Sequence, residues 1–136
     1  DSIAIFGNAR GEQPCSGGHL QIEFNLKNPK CLTTKEIKLG FRIDDNIGQR
    51  LIWYSTGIQP NKEEKVVEKI NFFSESCILN RGTYYITVYI TVNGIESDWI
   101  QNALSFDVEE GNFYSSAIQV PPSQSKILTN FKIDFD

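Results

Sequence analysis

The segment Thr83–Asn93 contains the side chains of this chain that are best suited to hold a ligand. Tyr85, Thr87 and Tyr89 occupy alternate positions, so in a β-strand they share one face. The two rings would stand about 13 Å apart at roughly 3.3 Å per residue, a span on the order of two to three hexose units. Aromatic rings pack on the C–H face of a sugar while polar groups bond its hydroxyls. The pattern therefore predicts a carbohydrate-binding face.

Neighbouring strands are expected to complete this face. In the strand Lys35–Asp44, Lys38 and Arg42 alternate with core residues and would supply donors, while Gly40 would leave a gap between them. Tyr54 is expected to extend the aromatic surface. The predicted carbohydrate-binding residues are Tyr85, Tyr89, Thr87, Arg42, Tyr54, Lys38, Gly40 and Ser105.

Two other interpretations of this face remain open. Tyrosine and threonine are good strand formers that cross-strand pairing rewards without any ligand. Tyrosine and arginine are also enriched at protein interfaces. An immunoglobulin-like protein–protein interaction module with no glycan ligand is therefore the alternative function.

Other chemistry is less well supported by the sequence. Cys15 and His19 form the only close pair of zinc-type ligands, whereas structural zinc takes four. The turn Asp44–Gly48 carries oxygens for calcium, but Asp and Asn in turns usually bond their own backbone. Adjacent carboxylates such as Glu63–Glu64 point to opposite faces of a strand and do not form a glycosidase pair. We expect a non-catalytic chain without a cofactor or a metal.

Composition identifies the elements that must position these residues. The chain has 136 residues, one domain's worth. Residues favoured in strands (Ile, Val, Thr, Phe, Tyr and Trp) number 46, whereas alanine, the best helix former, occurs four times. Alternating apolar and polar positions predict an all-β, immunoglobulin-like or jelly-roll β-sandwich of about eight strands. The first seven are predicted at Ser2–Phe6, His19–Lys27, Lys35–Asp44, Gln49–Ser55, Lys65–Phe73, Thr83–Asn93 and Asn102–Glu109.

The end of the chain is expected to stand apart from the sandwich. Residues 1–120 would form the carbohydrate-binding domain, and residues 121–136 a linker followed by a C-terminal strand. Pro121–Ser125 has the composition of a hinge. Phe131–Phe135 alternates in polarity and predicts an eighth strand, either exchanged in a homodimer or paired within its own chain.

The two tryptophans are predicted to lie in the core. Trp53 shares its parity with Leu51, which suggests an inward face, and Trp99 stands just before the seventh strand. A role for either ring as a ligand platform is the less favoured alternative.

The net charge and the cysteine content indicate which partners and which cellular compartment to expect. A net charge of -4 argues against nucleic acid, which is bound through lysine and arginine. Three cysteines, an odd number, favour a reducing cytoplasm in which they pack as small apolar residues. No apolar run approaches the roughly 20 residues of a membrane span. A start without methionine or a basic leader suggests a piece of a longer chain.

Three segments resemble a known family. Arg81–Val88, Asp98–Val108 and the strand Ile37–Asp44 with its Gly48 turn are similar to the C-terminal domain of Wzt-type ATPases. These ATPases are the nucleotide-binding subunits of ABC transporters that export O-antigen polysaccharides. The resemblance covers roughly residues 18 to 110.

The resemblance implies a function for the whole domain. The family's domain is a β-sandwich that binds the finished polysaccharide before export in lipopolysaccharide biosynthesis, and it is dimeric within the transporter. It implies a bacterial polysaccharide as ligand, and the ATPase and membrane subunits as partners through the parent chain. It also implies a place at the inner face of the inner membrane without direct insertion. Ligand contacts vary with the glycan, so the residues named above come from the strand pattern alone.

Overall fold

The computed structural model describes residues 2–59, 63–116 and 118–136, and for residues 97–103 only the backbone. This part of the chain forms seven strands. They are β1 (Ser2–Phe6), β2 (Leu20–Asn25), β3 (Ile37–Asp44), β4 (Arg50–Ser55), β5 (Lys69–Ser74), β6 (Gly82–Val92) and β7 (Ile95–Val108).

The strands form two sheets, which confirms the predicted all-β class. One sheet has the order β1-β2-β5 and the other the order β4-β3-β6-β7. In β3 and β6, every second residue is apolar, and most of these residues are buried. This is the pattern of a sheet that packs one of its faces against the core. Tyr84 at the start of β6 is 2% exposed and belongs to the core.

The chain divides into two compact units. Unit 1 comprises Asp1–Ala4, Ile22–Phe72 and Thr83–Phe106. Unit 2 comprises Ile5–Gln21, Phe73–Gly82 and Asp107–Asp136.

An aromatic cluster joins the two sheets inside unit 1. The ring of Phe41 on β3 lies 5.3 Å from that of Phe24 on β2 and 5.2 Å from that of Phe72 on β5. Burial of such rings is a large part of the free energy that holds a sandwich together. This packing fixes which face of β3 points inward.

Unit 2 is held by side-chain bonds to backbone groups. Ser16 is buried and its Oγ donates to the Leu79 carbonyl at 2.6 Å. The side-chain amide nitrogen of Asn80, Nδ2, donates to the backbone carbonyls of Val120 and Ser125, at 2.8 and 3.0 Å. Leu128 is 4% exposed, so the chain remains packed beyond the predicted hinge.

Two sequence expectations about the elements differ from the structure. β7 begins at Ile95, directly after a turn in which Asn93 and Gly94 have φ of 50° and 81°. Such a two-residue turn joins two strands directly. The seventh strand therefore begins at Ile95, before its predicted start at Asn102. Residues 129–136 form no strand with the described part of their own chain.

Two further points concern the described residues only. None of them forms a helix long and apolar enough to cross a membrane. The side chain of Trp99, which was expected in the core, lies outside the described residues.

Candidate functional site

The outward-facing side of β3 and β6 brings most of the predicted ligand residues together. We call this side of the four-stranded sheet the outer face. β3 pairs antiparallel with β6, so residues opposite each other share a face. The outer-face pairs are Lys38 with Thr91, Gly40 with Tyr89, Arg42 with Thr87, and Asp44 with Tyr85.

Trp53 lies on the outer face, so its predicted core position is wrong. It is 52% exposed, and its partner across β3 and β4 is Arg42. A Cβ added to Gly40 would stand 3.5 Å from Trp53 Nε1, so the indole reaches over the glycine. Because Arg42 points outward, the residue opposite it must do so too. The gap at Gly40 is therefore partly covered by an aromatic ring.

Tyr54 points into the sandwich, so its predicted place on the outer face is wrong. It pairs with Phe41, a core residue. Its ring centroid lies 5.2 Å from that of Phe41 and 4.6 Å from that of Phe72. Neighbouring residues of a strand face opposite ways, so placing Trp53 outward places Tyr54 inward.

Arg42 connects the charged and aromatic parts of the outer face. Its Nε is 3.3 Å from Asp44 Oδ2, and its Nη1 donates to Tyr89 Oη at 2.8 Å. The guanidinium carbon lies 6.0 Å from the centre of the Tyr89 ring. The side chains of Arg42 and Asp44 are 11% and 7% exposed. In this shielded position their interaction is stronger than in bulk water, and it holds the Tyr89 hydroxyl in one place.

The remaining predicted residues differ in accessibility. Thr87 is fully buried although it lies on the outer face, so its hydroxyl is not offered to solvent as expected. Tyr85 and Tyr89 are half-buried, whereas Lys38 and Ser105 are exposed. The predicted set therefore loses Tyr54 and the accessible hydroxyl of Thr87, and gains Trp53.

The acidic turn after β3 serves its own backbone. Asp45 Oδ1 accepts from the backbone N–H groups of Ile47 and Gln49, at 3.0 and 2.8 Å. Asp45 Oδ2 and Asp44 Oδ1 are buried without a hydrogen-bond partner. Among the described residues no group of three or more His, Cys, Asp or Glu is arranged to hold a metal ion. The geometry thus matches an Asx-type turn.

The outward position of Trp53 could have been predicted from the pairing of β3 with β4. Parity along β4 alone is ambiguous, because apolar residues occur at both parities in Leu51–Tyr54. Only the facing of Arg42, together with the register, decides between them.

Together, the fold and the outer face define a class of protein, a β-sandwich domain with an aromatic and polar surface on one sheet. The chain matches the family described as the Wzt C-terminal domain over residues 7–119, and it belongs to that family. Its fold is similar to the crystal structure of the C-terminal domain of wzt, with a TM-score of 0.64. That match covers 99% of this chain and 81% of the other at 11% identity, so it shows the fold alone. No curated protein matches the chain.

Family membership confirms that the chain is not itself an enzyme. The Wzt C-terminal domain is a binding domain, and the ATPase activity belongs to the N-terminal part of such proteins.

Proposed function

We propose that this chain binds a bacterial O-antigen polysaccharide on the outer face of its four-stranded sheet and leaves it unchanged. The observation that carries the proposal is the exposed Trp53 indole, which reaches over Gly40, while Tyr89 pairs with Gly40 on the neighbouring strand. An exposed indole beside a fixed tyrosine offers apolar faces on which sugar rings stack. Gly40 adds no side chain of its own at this position, so the edge of the indole lies directly over the backbone of β3.

The polar groups around this row support a sugar ligand. Arg42 donates to Tyr89 Oη and so fixes a polar group at the edge of the tyrosine ring. Lys38 lies two residues before Gly40 on β3, so it is on the same face, and it is exposed. Its ammonium group adds three hydrogen-bond donors. A few oriented polar groups on an aromatic floor are the usual composition of a sugar site.

Removing Trp53 tests this proposal. We expect Trp53→Ala to weaken binding of O-polysaccharide purified from the source bacterium by about tenfold or more, because the stacking surface is lost. The measurement is an NMR amide-shift titration, with shifts expected on β3, β4 and β6.

A matched control separates this site from general surface effects. Phe73→Ala removes an aromatic ring of similar exposure, 56% against 52%, from the other sheet. We expect it to leave binding unchanged. Equal losses in both variants, or no shifts in the original chain at millimolar repeat units, would refute the glycan proposal.

The same variants address the alternative function. If the outer face is a protein interface, Trp53→Ala will disrupt an oligomer or a partner complex while polysaccharide produces no shifts. We favour the glycan because the family of the chain is that of Wzt C-terminal domains.

The biological setting belongs to the proposal too. We propose that the chain acts in the cytoplasm, at the inner face of the inner membrane. There it would couple the finished O-antigen to export by the ATPase and membrane subunits of an ABC transporter. Specificity for the cargo would then reside in a domain separate from the one that hydrolyses ATP.

A homodimer would strengthen such binding. We propose that Phe131–Phe135 pairs with the sheet of a second copy. Phe131, Ile133 and Phe135 are 69%, 69% and 93% exposed, and alternate positions of an extended segment share one side. Two linked sites hold one polymer more tightly than either site alone.

A further inference from the structure

Cys15 in unit 2 is folded back onto its own turn. The backbone N–H of Gly18 donates to the Cys15 carbonyl at 3.0 Å and closes the turn Cys15–Gly18. The Cys15 Sγ lies 2.8 Å from the position that a Cβ on residue 18 would take. Only glycine leaves room for the thiol there, so the sulfur is held over Gly18.

Cys77 is joined to the same turn by backbone hydrogen bonds. Its N–H donates to the Gly18 carbonyl at 2.7 Å, and its carbonyl accepts from the Gly17 N–H at 2.8 Å. Cys77 thus pairs with two successive residues of the turn, Gly17 and Gly18, as in a β-bulge. The Cys15 thiol is held over Gly18, one of these two residues, so the fold brings both cysteines to one turn. A disulfide between them requires Cα atoms about 4.4–6.8 Å apart.

The two thiols differ in accessibility, and burial affects the pKa of Cys77. Cys77 is 1% exposed, whereas Cys15 is half-buried, and both are free thiols. Burial raises the pKa of the Cys77 thiol to about 11, a backbone hydrogen bond with Leu79 opposes this rise, and the charge of Cys15 adds to it. An oxidant from solution therefore meets Cys15 first, and Cys77 reacts second.

We propose that Cys15 and Cys77 are a site of reversible oxidation, in which a low-molecular-weight disulfide such as oxidised glutathione converts the two thiols into a protein disulfide. The Cys15 thiolate attacks one sulfur of the oxidant, forming a mixed disulfide and releasing one glutathione thiol. The Cys77 thiolate then attacks Cys15 Sγ and releases the second. Two protein thiols are oxidised and one glutathione disulfide is reduced, with both thiol protons transferred to the glutathione products.

The disulfide would lock a junction within unit 2. The segment after Cys77 pairs with the C-terminal part of the chain, since Leu79 bridges Ile127 and the Leu128 N–H donates to the Ile78 carbonyl. Oxidation would fix the turn Cys15–Gly18 to this segment. Reduction by glutathione or another thiol would restore the free pair.

The test is oxidation of the folded chain with oxidised glutathione. We expect two of the three free thiols to be lost, with the mass falling by two hydrogen atoms and one crosslinked peptide containing Cys15 and Cys77. Because the bond closes a long loop, Tm should rise by about 10 °C and return on reduction. Cys31→Ser removes the exposed third thiol and should leave all of this unchanged.

Other outcomes would overturn the proposal. Glutathione that stays attached to Cys15, with Cys77 open to alkylation after unfolding, shows that the second step does not occur. A crosslink that forms only in denaturant shows that the folded chain keeps the sulfurs apart. Both readouts use the original chain. Cys15→Ser, at the half-buried position, should abolish the crosslink and the rise in Tm.

Discussion

At the scale of single residues, Arg42 lies on the outer face as predicted and is also engaged by two neighbouring side chains. Its Nε is engaged by Asp44 and its Nη1 by Tyr89, so much of its donor capacity is used within the protein. The guanidinium therefore orients the Tyr89 ring. Sequence reasoning found both residues but not the bond between them.

This arrangement predicts a difference between two tyrosines of the same face. Tyr89→Phe removes the acceptor of Arg42 Nη1 and should lower the free energy of unfolding by about 1–2 kcal/mol, because a shielded charged donor loses its partner. Tyr85→Phe is the control and should change it by less than about 0.5 kcal/mol. Urea denaturation followed by circular dichroism gives both values. Equal values for the two variants would mean that the Arg42–Tyr89 bond adds nothing to stability.

At the scale of elements, the β3–β4 hairpin determines what the outer face contains. Its register puts Arg42 opposite Trp53 and Phe41 opposite Tyr54, so one ring is exposed and the other buried. A shift between Ile43 and Asp44 accompanies the turn, and Asp45 closes that turn through two backbone N–H groups. A one-residue slip would exchange Trp53 and Tyr54 between the faces.

Substitutions at Asp45 test the role of the turn. Asp45→Ala removes the acceptor of two backbone N–H groups and should lower the free energy of unfolding by about 2 kcal/mol. Asp45→Asn keeps an oxygen in place of Oδ1 and should cost less than about 1 kcal/mol. Thermal or urea unfolding distinguishes the two variants. If Asn were as harmful as Ala, the charge of Asp45 rather than its backbone bonds would be the stabilising feature.

At the scale of the whole molecule, the C-terminal residues divide into an anchored part and an exposed part. Lys126, Ile127 and Leu128 bond or bridge to residues 78–80 of unit 2. Tyr114 Oη donates to the Thr129 carbonyl at 3.0 Å. Beyond this point the side chains of Phe131, Ile133 and Phe135 are exposed.

A truncation placed at this division tests the proposed dimer. Deletion of residues 130–136 removes the exposed part and retains Leu128 and Thr129, so unit 2 should keep its fold. We expect the chain to become monomeric in analytical ultracentrifugation, because the pairing segment is gone. A longer deletion from residue 123 would also remove buried Leu128 and confuse loss of assembly with loss of stability. A dimer that survives the shorter deletion would contradict strand exchange.

The sequence by itself determined the fold class and which residues of β2, β3 and β6 face the core. A strict period of two in β2, β3 and β6 decides which residues are buried, because burial of one face makes every other position apolar. The position of Gly40 beside Tyr89 followed once β3 and β6 were taken as neighbours, and the register confirms this pairing.

Only the tertiary structure decided the identity of the exposed ring on β4, the burial of Thr87 and the bond between Arg42 and Tyr89. Apolar residues occur at both parities in β4, so the strand's own pattern does not choose a face. Its partner strand makes that choice, through hydrogen bonds between residues far apart in sequence. The proximity of Cys15 to Cys77 has the same origin, since backbone pairing across the fold brings these residues to one turn.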